Sequence, residues 1–215
     1  KAPDIEFKPP GKLVQYKVFT IRDTLSKLTN IQYLIINLLE APLLAFMLAF
    51  IIKFYSVDES NEKGYTLFDN SNLPVYIFMS VIVAIFIGLT VSAEEIIKDR
   101  KNLNREKFLN LSWFSYLISK ISVLMIISAF QALTFVLLGN WIIEIKGMFF
   151  HYWLALFSAW IGANLLGLII SDSFKTVVTI YILIPFLVIP QLILSGVIVS
   201  YDKLNPKISS PSTIP

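Results

Sequence analysis

Nine charged side chains lie within fourteen positions, from Glu94 to Lys107, in the stretch SAEEIIKDRKNLNREKF. The segments on both sides are strongly apolar: residues 70–93 carry no charge, and residues 108–143 carry only Lys120. On a helix, the acids and bases of the block would pair three or four positions apart. A charged surface of both signs with a few aliphatic residues could bind a cytosolic partner. The alternative is a solvated loop that only sets topology.

Three polar side chains interrupt apolar segments, namely Asn37, Glu40 and Gln131. A carboxylate in the middle of a bilayer costs roughly 2.5–3.5 kcal/mol on insertion scales, so it usually marks a function. Glu40 could therefore be a proton, ion or substrate site. It could equally make a structural hydrogen bond between spans, with Gln131 as its partner, and we favour this second interpretation.

Other chemistry finds little support in the sequence. The chain has no cysteine and one histidine, His151, whereas a metal site needs several ligands. No G-x-x-x-x-G-K-[ST] phosphate loop occurs. We therefore expect no catalytic, metal-binding or cofactor-binding residues, no enzymatic activity of this segment by itself, and no nucleic-acid partner.

Composition indicates the class of protein that must position these residues. Of 215 residues, 56% are hydrophobic and only 15% are charged, against about 25% charged in a typical soluble domain. A bilayer span needs roughly 18–20 apolar residues. Four uncharged runs reach that length, so we predict an all-α polytopic membrane protein. The runs are 70–93, 121–143, 147–171 and 176–201.

The predicted organisation contains about five spans. Residues 1–11 resemble a linker from a preceding domain, and 201–215 the truncated start of an external loop. The predicted spans are about 31–54, 73–93, 113–140, 148–170 and 176–200, with a coupling loop at 94–110.

Residues 12–30 are predicted to form an amphipathic helix. Their apolar residues recur at spacings of four and three, which places them on one helical face. Because the helix leads directly into a span, we expect it to lie at the membrane surface rather than on a soluble domain. The residues of this face are Val14, Val18, Ile21, Leu25 and Leu28.

The distribution of Lys and Arg predicts the orientation. With a cytosolic N-terminus, the inner segments hold thirteen of these cations and the outer segments five, in accord with the positive-inside rule. The charged block is then cytosolic. The absence of cysteine and the Ile-, Asn- and Lys-rich composition fit a bacterial inner membrane.

The stretch VSAEEIIKDRKNLNREKFLNLSWFSYLISK resembles the loop between the second and third spans of ABC exporters of the G subfamily, the pigment-precursor, sterol and multidrug half-transporters. The features that match are a glutamate, an acid–base pair, an aliphatic residue, a basic–glutamate pair and an SYxxSK-like start of the third span. They are Glu94, Asp99–Arg100, Leu103, Arg105–Glu106 and the segment 115–120. The resemblance covers most of residues 12–205.

The resemblance implies a mechanism. The inner loop would be a coupling helix that rests on an ATPase domain, which binds ATP and Mg²⁺ and lies elsewhere, most plausibly before residue 1. The active form would be a homodimer or heterodimer that alternates between inward- and outward-facing states, and a sixth span would follow Pro215. The implied coupling residues are Glu94, Asp99, Arg100, Arg105 and Glu106, with Asp172 and Lys175 in the second inner turn.

The same resemblance implies a transport path. Val197 and Ile198 match an outer aliphatic gate, and Gln191, near Pro185 and Pro190, suggests that the fifth span lines the path. At two second-span positions where multidrug members carry an amide and an aromatic residue, this chain has Ala84 and Ile87. Drug specificity therefore does not carry over.

Small residues also recur every four positions in two of the predicted spans, which lets helices approach closely. The second span carries Ala84, Gly88 and Ser92, and the fourth carries two such rows. These rows are Ser158–Gly162 and Ala159–Ala163–Gly167.

Three other functions would fit a helical membrane protein. An ATP-independent channel or secondary carrier would use Glu40 as an ion site and would not need the charged block. A membrane enzyme would need converging catalytic groups, and a membrane scaffold would need neither.

Overall fold

The computed structural model describes residues 10–53, 72–106, 111–143, 145 and 147–194, and it is all-helical over these residues, as predicted. Most of the predicted linker, the predicted external loop, Val197 and Ile198 lie outside them, as does the side chain of Glu106. The helices are Lys12–Thr29 (α1), Ile31–Ile52 (α2), Asn72–Ala93 (α3), Glu95–Glu106 (α4), Trp113–Ile143 (α5), Phe149–Ser173 (α6) and Val177–Leu194 (α7).

Among the described residues, four helices are long and apolar enough to cross a bilayer: α2, α3 with its continuation into α4, α5 and α6. They correspond to the first four predicted spans, and α5 runs to Ile143, three residues beyond its predicted end. The apolar helix Val177–Ile193 is shorter. At 1.5 Å per residue it extends about 26 Å, against a hydrocarbon core of about 30 Å.

The first helix presents two different faces. Its regularly spaced apolar residues are all about half exposed, from Ile21 at 48% to Val18 at 57%. The opposite face packs on α5 and buries Gln15, Phe19 and Asp23. A short link at Asn30 joins α1 to α2, and the Asn30 side chain accepts a hydrogen bond from the Tyr33 backbone N–H.

The centre of the fold is the packing of α3 against α6. Small residues on both helices make the approach close. A Cβ atom added at Gly88 would lie 2.8 Å from the Cβ of Ala163, and one added at Gly167 would lie 1.9 Å from the Ser92 hydroxyl. Around this contact, α5 packs on α1, α2 and α6, while α7 packs on α3.

Only some of the small residues serve this contact. Gly88 and Ser92 of α3 meet Ala163 and Gly167 of one row on α6, as close packing predicts, and Ala84 is also buried. The other row on α6 lies elsewhere: Ser158 is exposed, and a Cβ added at Gly162 would meet nothing within 4 Å.

The two glycines of α6 provide a matched test of this packing. We expect Gly167→Leu to destabilise the protein by about 1–3 kcal/mol, because a larger side chain must displace Ser92 and the α3 backbone. Gly162→Leu should be neutral or slightly stabilising, because leucine favours the helix and meets open space. Thermal unfolding of the detergent-solubilised variants measures both, and equal melting temperatures would contradict the close α3–α6 approach.

Candidate functional site: the corner between α3 and α4

A buried ammonium group holds together three helices below the α3–α4 corner. Lys120 of α5 is 3% exposed. Its Nζ lies 2.9 Å from Glu95 and 2.8 Å from Asp99, both on α4, and it also pairs with Asp23 of α1. Lys27 of α1 completes the cluster, with its Nζ 2.7 Å from Asp23 and 2.8 Å from Glu95. We call these five residues the charge network.

Each charged group of the network has an oppositely charged partner within the network. Burial raises the pKa of Asp23, but the ammonium groups of Lys27 and Lys120 outweigh that effect and leave the pKa below its ordinary value. The Tyr116 hydroxyl donates a hydrogen bond of 3.1 Å to Asp99. Removing one member of such a cluster leaves an uncompensated buried charge, so each charge constrains the positions of the others.

A second set of bonds fixes the corner to the end of α6. The backbone N–H groups of Ile96 and Ile97 donate to the Ser171 hydroxyl at 3.0 and 3.2 Å. Arg100 donates through Nη2 to the carbonyls of Ser171, at 3.2 Å, and Asp172, at 2.9 Å. The backbone N–H groups at the start of a helix and the backbone carbonyls at its end lack hydrogen-bond partners within their own helix. Side chains of the neighbouring helix supply these partners here. Each helix therefore caps the other.

The last helix reaches the same corner through Glu94. This residue lies in the single-residue turn between α3 and α4. Its carboxylate pairs with Lys98 one turn further on and accepts a hydrogen bond from the hydroxyl of Tyr181 in α7. The corner thus contacts helices from four other parts of the chain.

The predicted coupling residues divide into two groups. Asp99, Arg100 and Glu94 point into the protein and position α4. The side chains of Arg105, Asp172 and Lys175 are exposed and form an outer surface. Lys98 and Lys101 are exposed on α4 as well, so this surface is mainly basic.

Several network residues were not predicted as functional. In the sequence, Lys120 only interrupts an apolar run, although a lone cation in a span is by itself a signal of function or of a buried partner. The partners of Lys120 are 97 and 25 positions away, at Asp23 and Glu95. No local spacing rule connects residues so distant.

The predicted transport path is only partly described. Ala84 and Ile87 are completely buried in the core of this chain. In this conformation the α3 face that carries them packs on neighbouring helices, and their place on a transport path stays a prediction. Gln191 is exposed in the last turns of α7, beyond Pro185 and Pro190, which both lie inside the helix.

The predicted pairing of Glu40 with Gln131 is also not observed. Gln131 donates instead to the backbone carbonyl of Asn37, at 3.1 Å, and so joins α5 to α2. Glu40 is half-buried one turn later, without a hydrogen bond to Gln131. The bond between the two spans is therefore real, but it uses a main-chain acceptor.

Comparison with known families gives the fold its context. The family model described as ABC-2 type transporter matches residues 14–210, which is most of the chain. The chain belongs to the ABC-2 type transporter family. It is accordingly a membrane permease component of an ABC transporter, a class that works in the bilayer with an ABC ATPase. No curated protein matches the chain.

The charge network of this ABC-2 permease can be tested by removing its central cation. We expect Lys120→Met to destabilise the solubilised protein by about 3–5 kcal/mol, because the carboxylates of Asp23, Glu95 and Asp99 lose their shared partner. Thermal or denaturant unfolding in detergent provides the measurement.

Lys175→Met is the matched control for that substitution. Lys175 is exposed in the turn before α7, so the same change should shift stability by less than about 0.5 kcal/mol. If Lys120→Met proved as mild as the control, the network would not hold α1, α4 and α5 together.

Proposed function

We propose that this chain is the permease part of an ATP-driven exporter, and that ATPase domains outside the segment drive its alternation between inward- and outward-facing states. The observation that carries the proposal is the fixed geometry of α4. Its inner face is bonded to α1, α5 and α6, while its outer face, with Lys98, Lys101 and Arg105, is exposed.

The exposed surface has the properties of a docking site. Asp172, whose backbone carbonyl accepts a hydrogen bond from Arg100 of α4, and Lys175 three residues later are also exposed and add one acid and one base. The excess of basic groups favours an acidic partner surface, because complementary charge steers association and fixes register. We assign this surface to contact with the ATPase. The ATPase domain, and not this chain, would bind ATP and Mg²⁺.

The membrane arrangement belongs to the same proposal. The excess of Lys and Arg on one side favours a cytosolic N-terminus, with α4 also in the cytosol. The exposed apolar face of α1 suits the membrane surface. In this arrangement α7 would belong to the fifth predicted span.

The finer classification rests on the matching motifs. The SYxxSK-like start of α5 and the charged pairs of α4 favour an exporter of the G-subfamily type that acts as a homodimer or heterodimer. Lys120, the last residue of that motif, is the centre of the charge network. A bacterial inner membrane is the proposed location.

Charge reversal on the docking surface tests the proposal in the full-length transporter with its ATPase. We expect Arg105→Glu to lower substrate-stimulated ATP hydrolysis and transport in proteoliposomes by about tenfold or more, because like charges across an interface cost several kcal/mol. Lys17→Glu, the same reversal at an exposed position of α1, is the control and should retain coupling.

Two further results make this experiment decisive. Unchanged coupling in a correctly folded Arg105→Glu variant would contradict the assignment of the surface. A Glu40→Gln variant, measured in the same vesicles, addresses the ion-site alternative. The exporter proposal expects ATP-dependent transport to survive it, whereas ATP-independent flux that disappears in this variant would favour a channel or carrier.

A further inference from the structure

A cavity of about 340 Å³ lies between the end of α1, the first half of α2 and the middle of α5. Its volume is in the range of small-molecule sites. The wall is mostly apolar and includes Leu28, Leu34, Leu38, Ile126 and Phe130. It meets the charge network at Lys27, and its lining includes none of Glu94, Arg100 and Ser171 of the α3–α4 corner.

The cavity opens sideways, between α2 and α5. Besides Leu28 of α1, which is 55% exposed, three lining residues are large, apolar and more than half exposed: Leu38 at 53%, Ile126 at 67% and Phe130 at 58%. They belong to two helices that are long enough to span the bilayer. A ligand that enters between these side chains would come from the hydrocarbon of the membrane.

The deeper wall holds polar atoms that lack partners. Within the described part of the chain, neither the Tyr33 hydroxyl nor the Asn37 Oδ1 atom makes a hydrogen bond, and both are buried. The Asn37 amide nitrogen already donates to the Tyr33 carbonyl, at 2.9 Å. Oδ1 therefore offers only an acceptor, while the phenol can donate or accept. A ligand hydroxyl can satisfy either atom.

The charges beside the cavity disfavour an ionic head group. Lys27 borders the cavity, but its ammonium already pairs with Asp23 and Glu95. The charge network as a whole holds three carboxylates and two ammonium groups. An anionic head group would be repelled by the net negative charge of the network. A cationic head group would find the carboxylates of the network already paired with Lys27 and Lys120.

We propose that this cavity binds a lipid of the surrounding bilayer with an uncharged, hydroxyl-bearing head group. The hydroxyl would bond to Asn37 and Tyr33, and the hydrocarbon chain would leave between α2 and α5. The inference requires membrane insertion but no ATP-driven transport, so failure of the proposed function would leave it standing.

Photolabelling of the full-length transporter in nanodiscs tests this site. The probe is a monoacylglycerol with a diazirine in its acyl chain, and a fatty acid with the same diazirine chain is the anionic comparison. We expect the monoacylglycerol to label residues 33–38 and 123–134, as mapped by peptide mass spectrometry, and unlabelled monoacylglycerol to compete. The fatty acid should label these segments severalfold less.

Paired substitutions separate the cavity from general lipid contact. Asn37→Leu removes the free acceptor and should reduce labelling about threefold to tenfold, the effect of one lost hydrogen bond. Asn140→Leu is the control, because Asn140 is also buried without hydrogen-bond partners among the described residues but does not line the cavity. Leu34→Trp should block labelling by filling the space.

Three results would overturn the proposal. One is equal labelling by the neutral and the anionic probe, and another is an Asn37→Leu variant that labels as strongly as Asn140→Leu. The third is ATP-dependent movement of the monoacylglycerol across the membrane, which would make it a transported substrate instead of a resident lipid. If the asparagine variants have a lower melting temperature than the wild type, Tyr33→Phe and its control Tyr152→Phe replace them. Tyr33→Phe removes an unpartnered hydroxyl from the cavity wall, and Tyr152→Phe removes one that does not line the cavity.

Discussion

The burial of one ammonium group, that of Lys120, constrains the whole charged end of the molecule. An isolated ion in such a place is too costly to maintain, so carboxylates must surround it. The chain supplies them from α1 and from α4, which are far apart in sequence. Replacement of such a cluster by apolar residues is often neutral or even stabilising. Its value therefore lies in a specific arrangement of three helices.

The corner bonds extend this constraint to the other helices. Ser171 and Arg100 join the start of α4 to the end of α6, and Glu94 joins the turn to α7. A displacement of α4 must therefore carry its neighbours with it or separate buried charges. For a helix whose outer face is free, this is the mechanical property that coupling to a motor domain requires.

The sequence predicted the helices better than it predicted their contacts. Long uncharged runs, and apolar residues spaced three and four positions apart, predict the ends of α1 to α6 to within a few residues. The runs are informative because a bilayer span needs a minimum apolar length. Spacing alone does not tell which face meets a neighbour. It therefore selected Gly162 together with Gly167, although only Gly167 lies close against α3. The network as a whole escaped prediction because the segments of α1, α4 and α5 that form it meet only in the folded chain.

The cavity and the charge network share helix α5 as well as Lys27 of α1. Lys120 and Gln131 both belong to α5, a continuous helix of 31 residues, and the eleven positions between them correspond to about 16 Å along its axis. Lys120 fixes this helix to α4, while Gln131 and its neighbours form one wall of the cavity and bond to α2. A tilt of α5 imposed at the corner would therefore change the separation of α5 and α2. A lipid bound between these helices would oppose or favour that motion, depending on whether it fits the cavity better at the smaller or at the larger separation. Through this cavity, membrane composition could therefore act on the proposed transport cycle.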